Sequence, residues 1–250
     1  MDMNRSHERV WQQFAERYQL TLEQLSNYQR YYALLSAANK EYDLTAITDF
    51  ESTIAYHFAD SLEIGKCLKD PAWFDTISSK SLTTSGPLSA HAPATSPTAC
   101  SGVEVCTRTL DLRSMKCLVD VGTGAGFPGL ALKIKYPHLN IILIEVLHKR
   151  INFLQSVIDD LKLTDIAIYT NDWRTFLRKT NYPAELITSR ASLHPDELLR
   201  MFQPSSPYKN ALLAYWASHE WQPAEKEAAH ILKTCEYQVK DRTRKYVIFK

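Results

Sequence analysis

The eight histidines form no HxxxH or HExxH grouping, and the five cysteines (Cys67, Cys100, Cys106, Cys117 and Cys235) include no CxxC pair. Without those spacings no metal site is expected, and scattered, odd-numbered thiols read as reduced side chains, neither staples nor ligands. No run approaches the ~18 apolar residues that span a bilayer, and the opening MDMNRSHERV lacks the apolar stretch of a secretory leader. A cytoplasmic protein with no membrane partner is expected. There is no excess of charge: 29 Lys+Arg stand against 28 Asp+Glu in 250 residues. Domains held to nucleic acid by bulk charge are strongly basic, so DNA is not expected as a partner and any RNA site must be a local patch. What is present is apolar material, 45% of residues, enough for a buried core in one main domain with an appendage, expected as a monomer.

Residues 7–20 carry Val10, Trp11, Phe14 and Tyr18 at helical spacing, and Thr21 with Gln24 forms a capping box for a second helix running to about Ala38. After a polar break over 39–49, Ser52 is positioned to cap a third helix whose stripe is Ile54, Phe58 and Leu62, with His57, Asp60 and Ser61 on the neighbouring face. From Thr76 to Gly102, 21 of 27 residues are Ser, Thr, Pro, Ala or Gly. Such a stretch buries too little surface to offset its ordering entropy, so 71–112 reads as a disordered insertion between a helical N-terminal extension, 1–70, and a main domain, 113–250. In that domain short β-branched runs (117–121, 141–145, 166–169, 185–189, 211–216) alternate with helical stretches, the pattern of a mostly parallel sheet with helices on both faces. Two final runs separated by a short turn predict an edge hairpin.

Glycine is scarce, seven in all, yet four of the seven fall within Gly122-Thr-Gly124-Ala-Gly126-Phe-Pro-Gly129. This cluster follows a strand and opens a helix, where a cofactor meets a doubly wound sheet. Gly124-x-Gly126-x-x-Gly129 also satisfies the dinucleotide fingerprint, so a nicotinamide (NAD) oxidoreductase stays open on pattern alone. Charge favours a different ligand. Asp120, the last acidic group before the loop, would repel a pyrophosphate and attract the ammonium and sulfonium of S-adenosylmethionine. Glu145 ends the second strand of the unit, 19 residues after Gly126, where a carboxylate accepts ribose hydroxyls.

The segments Asn39-Lys-x-Tyr-Asp-Leu-Thr-Ala-Ile47, His57-Phe-Ala-Asp-Ser-Leu62, Asp120–Gly129, Lys149-Arg150 and Ser189-Arg190-Ala191 together resemble the bacterial small-subunit (16S) ribosomal RNA guanine-N7 methyltransferase family, RsmG or GidB. The resemblance runs from about Asn39 to at least Arg190. It implies an α/β, class I (Rossmann-like) methyltransferase fold with a seven-stranded sheet and a helical N-terminal extension. It also implies an S-adenosylmethionine pocket that includes Gly124 and Gly126, with Gly122 and Phe127 at the methionine side, Glu145 on the ribose, Trp173-Arg174 beside adenine and Arg190 at the floor. Five places depart from the family pattern: Asp172-Trp173-Arg174 stands for Arg-x-Glu, Tyr56 for Arg, Asp43 for Asn, Trp216-Ala217 for Lys-Gly, and the insertion at 76–102 is foreign to it.

Guanine N7 carries an in-plane lone pair and needs no deprotonation before it attacks a sulfonium methyl. Alignment and tolerance of the cationic purine are then the enzyme's task, and no residue is nominated as general base. The RNA-side candidates are Asn39, His57, Lys149, Arg150 and Arg190, supported by Lys40, with Tyr42, Tyr56 and Phe127 available to stack an unstacked base. The expected partner is small-subunit ribosomal RNA or the assembling 30S subunit. A non-catalytic RNA-binding relative is the alternative, since a fold can outlive its chemistry.

Overall fold

The structure, a computed structural model, describes residues 2–69 and 111–250. Most of the expected insertion therefore lies outside the described residues, although Leu112, at its expected end, is fully buried in the core. No helix among the described residues is long and apolar enough to cross a membrane.

Helix α1 covers Asp2–Tyr18 and α2 Leu22–Tyr42. The Thr21 hydroxyl accepts from Gln24 N while Gln24 Oε1 accepts from Thr21 N, completing the capping box. Helix α2 runs past Ala38 because its left-handed stop is Asp43, whose N–H returns to Asn39 O. The next helical stretch is α3 (Phe50–Thr53), a π-helical turn over Ile54–Ala59, and α4 (Asp60–Leu62), followed by α5 (Ile64–Lys69). Its cap is Asp49, whose carboxylate accepts from Ser52 N, and not Ser52. An aspartate three residues upstream offers the same cap geometry, and the chain uses it. Ile54, Phe58 and Leu62 are buried as the stripe required.

The strands are β1 (Cys117–Val121), β2 (Asn140–Ile144), β3 (Ile166–Tyr169), β4 (Leu186–Arg190), β5 (Leu212–Ser218), β6 (Ile231–Val239) and β7 (Arg242–Phe249). They form one seven-stranded sheet in the order β3-β2-β1-β4-β5-β7-β6. The first five are parallel, β7 runs antiparallel to β5, and β6 is the edge strand of the β6–β7 hairpin. The connecting helices are α6 (Gly129–Lys135), α7 (His148–Asp160), α8 (Trp173–Lys179), α9 (Pro195–Leu198) and α10 (Glu225–Ala228).

Two apolar clusters cover opposite faces. One joins sheet residues such as Leu118, Ile141 and Ile248 to α6, α7 and the N-terminal helices; the other gathers Val119, Val121 and Ile187 with Trp173, Phe176 and Met201. The N-terminal helices are bound in by aromatic packing of Trp11, Phe14, Tyr28, Tyr31 and Phe58 and by Tyr28 Oη donating to Ala131 O at 2.6 Å. One expectation fails outright. Cys67 on α5 and Cys235 on β6 form a disulfide, 168 residues apart with Cα atoms at 6.2 Å, because the edge hairpin folds back over the N-terminal helices.

The order of strands puts the reversal of winding between β1 and β4, which flank one another in the sheet. The connections of adjacent strands diverge there, opening a crevice at the carboxyl ends where ligands bind in doubly wound sheets.

Candidate functional site

The glycine turn follows β1 at this crevice. Gly122, Gly124 and Gly126 all have positive φ, +65°, +63° and +101°, conformations that L side chains rarely adopt. They differ in surroundings. A Cβ on Gly122 would collide with Ser192, and one on Gly126 with Leu130 and the Tyr31 hydroxyl, whereas a Cβ on Gly124 meets nothing within 4 Å. Gly122 and Gly126 are therefore required by packing, and Gly124 is the glycine that faces open space.

Asp120 is fully buried. Its Oδ2 accepts from Gly129 N at 2.8 Å and its Oδ1 from the Thr188 hydroxyl at 2.8 Å, and burial raises its pKa above the ordinary carboxylate value. The charge that the sequence reading aimed at a ligand is thus anchored beneath the loop, at the amino end of α6. Glu145, one residue past β2, is 4% exposed. Its Oε1 accepts from Val146 N and Leu147 N, both at 2.9 Å, and its Oε2 from Gly124 N at 3.0 Å. A carboxylate has about four acceptor directions, so one on Oε2 is left to face a hydroxyl. Arg150 NH1 lies 3.6 Å from the same oxygen, and Arg150 Nε is buried without a hydrogen-bond partner. These residues suit a neutral, hydroxyl-bearing sugar beside Gly124.

Phe127 is not a free platform. It is 4% exposed and sandwiched, with Tyr31 stacked at 5.3 Å and 16° on one contact and His57 at 4.5 Å and 8° on another; Arg190 lies 5.3 Å over the same ring. Tyr31 donates to Ala125 O of the loop. The π-helical turn delivers His57 to this stack. Its Nε2 meets Thr45 Oγ1 at 2.8 Å and its Nδ1 receives Arg190 NH2 at 3.3 Å. Burial, then the neighbouring Arg190 and Arg244 charges, push the His57 pKa down to about 3, so the ring is neutral.

Arg190, at the end of β4, donates NH1 to Asp60 Oδ2 at 2.9 Å and to Tyr56 O at 3.1 Å. Asp60 is fully buried and also accepts from Tyr237 Oη at 2.6 Å, while its carbonyl accepts from Tyr246 Oη at 2.6 Å and Trp216 Nε1 at 3.3 Å. Trp216 thereby ties β5 to α4. Asn39 closes the 43–48 turn by exchanging hydrogen bonds with Thr45: its Nδ2 donates to Thr45 O at 2.9 Å and its Oδ1 accepts from Thr45 N at 2.7 Å. A cavity of about 380 Å³, lined in part by Tyr32, Asn39, Lys40 and Thr53, lies against that turn.

The rim near α7 is more open. Lys149 Nζ donates to Tyr42 O at 2.8 Å, bringing the end of α2 beside Val146 and Leu147; Tyr42, Val146 and Leu147 are 40%, 49% and 46% exposed. Tyr56, in contrast, is buried, with its hydroxyl on Asp241 and the Arg242 guanidinium 4.2 Å over its ring. Trp173 is also buried, its Nε1 donating to Glu197 O, and Arg174 is held by Glu197 through two bonds of 2.7 and 2.8 Å. What the Asp172–Arg174 stretch can turn toward a ligand is backbone.

The crevice thus gathers Gly122, Gly124, Gly126, Glu145 and Arg150 and backs them with Phe127, His57 and Arg190, while the side chains of Trp173 and Arg174 point elsewhere. Sequence reasoning missed Tyr31, Thr45, Ser192 and Tyr237. The i+3 and i+4 stripe of α2 carried a local signal for Tyr31; Thr45 meets Asn39 and His57 across a turn, while Ser192 on Val121 O and Tyr237 on Asp60 answer to partners far away in sequence.

A family model described as GidB, rRNA small subunit methyltransferase G, matches residues 103–246. The ribosomal RNA small subunit methyltransferase G of Geobacillus sp. (strain WCH70) is 30% identical over 217 residues, 85% of this chain and 74% of that one. The protein of the same name from Leuconostoc citreum (strain KM20) is 37% identical over 149 residues, 60% of this chain and 46% of that one, so the match spans about half that relative's length. Among solved structures, a human methyltransferase 10 domain containing protein superposes with a TM-score of 0.43 and 15% identity, over 55% of this chain and 72% of that one.

Proposed function

The chain belongs to the rRNA small subunit methyltransferase G (GidB) family, and from that premise we propose that it transfers a methyl group from S-adenosylmethionine to N7 of a guanine in small-subunit ribosomal RNA. The observation that carries the reading is Gly124, the one loop glycine whose missing side chain opens onto the crevice rather than onto packing, with Glu145 adjoining it.

When bound, S-adenosylmethionine would supply an electrophilic sulfonium methyl for the N7 lone pair, its S–C bond pair returning to sulfur as the N–C bond formed. The chain's residues hold and orient. Glu145 would hold the ribose through a hydroxyl, the backbone at Gly122 and Gly124 the methionine end, and the backbone of the first turn of α8 the adenine. His57 is neutral and its Nδ1 is engaged by Arg190, so it fixes Arg190 and the Phe127 ring instead of moving a proton. No general base is required, because N7 loses no proton. On the RNA side Tyr42, Val146 and Leu147 offer an apolar face to an unpaired base and Lys149 and Arg150 a phosphate contact. A cytoplasmic location and a monomeric state complete the proposal.

The test is incorporation of labelled methyl into small subunits from a host lacking the modification, with mass spectrometry of the product. One N7-methylguanine per subunit is expected. Cofactor binding without incorporation would turn the reading toward an RNA-binding relative, and a thermal shift with NAD alone would turn it toward an oxidoreductase.

A further inference from the structure

The start of α9, after β4, and helix α10, after β5, bring a second group of ligand-type side chains together at the carboxyl edge of the sheet. His194, Asp196 and Glu227 each offer one donor atom, and these atoms all lie within 4.8 Å of one another. His194 Nδ1 is 3.5 Å from Glu227 Oε1 and 4.0 Å from Asp196 Oδ2. A tetrahedral ion with bonds of ~2.1 Å separates its ligand atoms by about 3.4 Å, so one edge already fits and the others need only small rotations of exposed side chains, His194 being 66% and Asp196 62% exposed.

The third ligand supplies an independent observation. Glu227 is 1% exposed. Its Oε2 accepts from Ala224 N, at the start of α10, at 2.8 Å, but its Oε1 is buried with no hydrogen-bond partner and is aimed at His194. A buried carboxylate oxygen left without a donor is costly. Nor is His194 Nδ1 blocked as a ligand: it stands as acceptor to Asp196 N at 3.4 Å, which requires an unprotonated nitrogen whose contact is long enough to yield.

We propose that His194, Asp196 and Glu227 form a binding site for a divalent transition ion of the Zn2+ class. One imidazole with two carboxylates suits such an ion better than Mg2+ or Ca2+, which favour all-oxygen shells. Three protein ligands leave a fourth position open to water or another oxygen donor. The ion clamps the start of α9 to α10, and so stiffens one wall of the crevice without depending on which reaction the crevice performs.

The experiment is titration of the metal-free full chain with ZnCl2, read by calorimetry and by thermal unfolding. One equivalent of Zn2+ is expected at micromolar affinity, with a rise in melting temperature by mass action. H194A and D196N, both at exposed positions, should weaken binding at least tenfold and abolish the thermal shift. E227Q should do the same, since a glutamine oxygen can still accept from Ala224 N. H219A removes another exposed histidine, one that lies 3.6 Å from Glu236, and should change nothing. The proposal is overturned if Zn2+ does not bind, if the three variants bind as the parent does, or if H219A loses as much as H194A. A stabilisation by His194 that appears only on acidification, with no Zn2+ effect, would assign the site to a proton and equally overturn it.

Discussion

Replacing Gly124 by alanine separates what the glycine turn does for the fold from what it does for a ligand. At φ +63° an L residue in the left-handed region costs roughly 1–2 kcal/mol, and with nothing within 4 Å of the new Cβ no steric term is added. Gly126→Ala suffers the same class of backbone strain at φ +101° and also drives a methyl into Leu130 and the Tyr31 hydroxyl; overpacking of this kind adds a further ~1–3 kcal/mol. Urea unfolding should therefore place Gly124→Ala about 1–2 kcal/mol below the parent and Gly126→Ala clearly lower. Cofactor binding should rank them differently. The Gly124 methyl projects into the space assigned to S-adenosylmethionine, and a loss of over tenfold in affinity, ~1.4 kcal/mol, is expected by isothermal titration at a temperature where the variant is folded. Parent-like affinity in folded Gly124→Ala would remove the ligand from that wall and refute the reasoning.

Arg190→Met strips the buried Asp60 carboxylate of its closest cationic partner; breaking a buried pair costs about 3–5 kcal/mol, and the lower end is expected because Tyr237 still donates and Arg244 Nε stands 3.7 Å away. A cycle with Asp60→Asn should recover part of the loss, and strict additivity would show that the pair is uncoupled. His57 gives a pH signature: its folded pKa of about 3 lies below the unfolded value, so its contribution is complete above the unfolded value near 6.5 and shrinks as pH falls toward 3. Stability should drop by up to about 1.4 kcal/mol per pH unit within that window, and urea midpoints of His57→Phe should follow pH less steeply than those of the parent. Reduction of Cys67–Cys235 opens a loop of 168 residues, for which chain entropy predicts a loss approaching ~5 kcal/mol; unfolding with and without dithiothreitol, repeated on Cys235→Ser, measures it, and an unchanged midpoint in both would show that the link does not constrain the unfolded chain.

Local signals carried the elements. The short β-branched runs became β1 to β5, the two final runs became the β6–β7 hairpin, the Thr21–Gln24 pair capped α2 as its spacing required, and glycines concentrated in one turn marked the crevice because, among the described residues, only that backbone needs positive φ three times in five residues. The motif set around them was enough to state a family. Tertiary structure decided who meets whom. Strand order, the Arg190–Asp60 pair across 130 residues, the Tyr31–Phe127–His57 stack and the Cys67–Cys235 bond all join positions with no periodic relation to one another. So it was also with the carboxylates. The chain spells Asp120 and Glu145 as two equivalent acids at strand ends, and only packing turns the first onto Gly129 and Thr188 while leaving the second one acceptor direction beside Gly124. Periodicity reports which face of an element is buried; the partner on that face is set by loop closure and by the energy of the whole core, which no window of sequence contains.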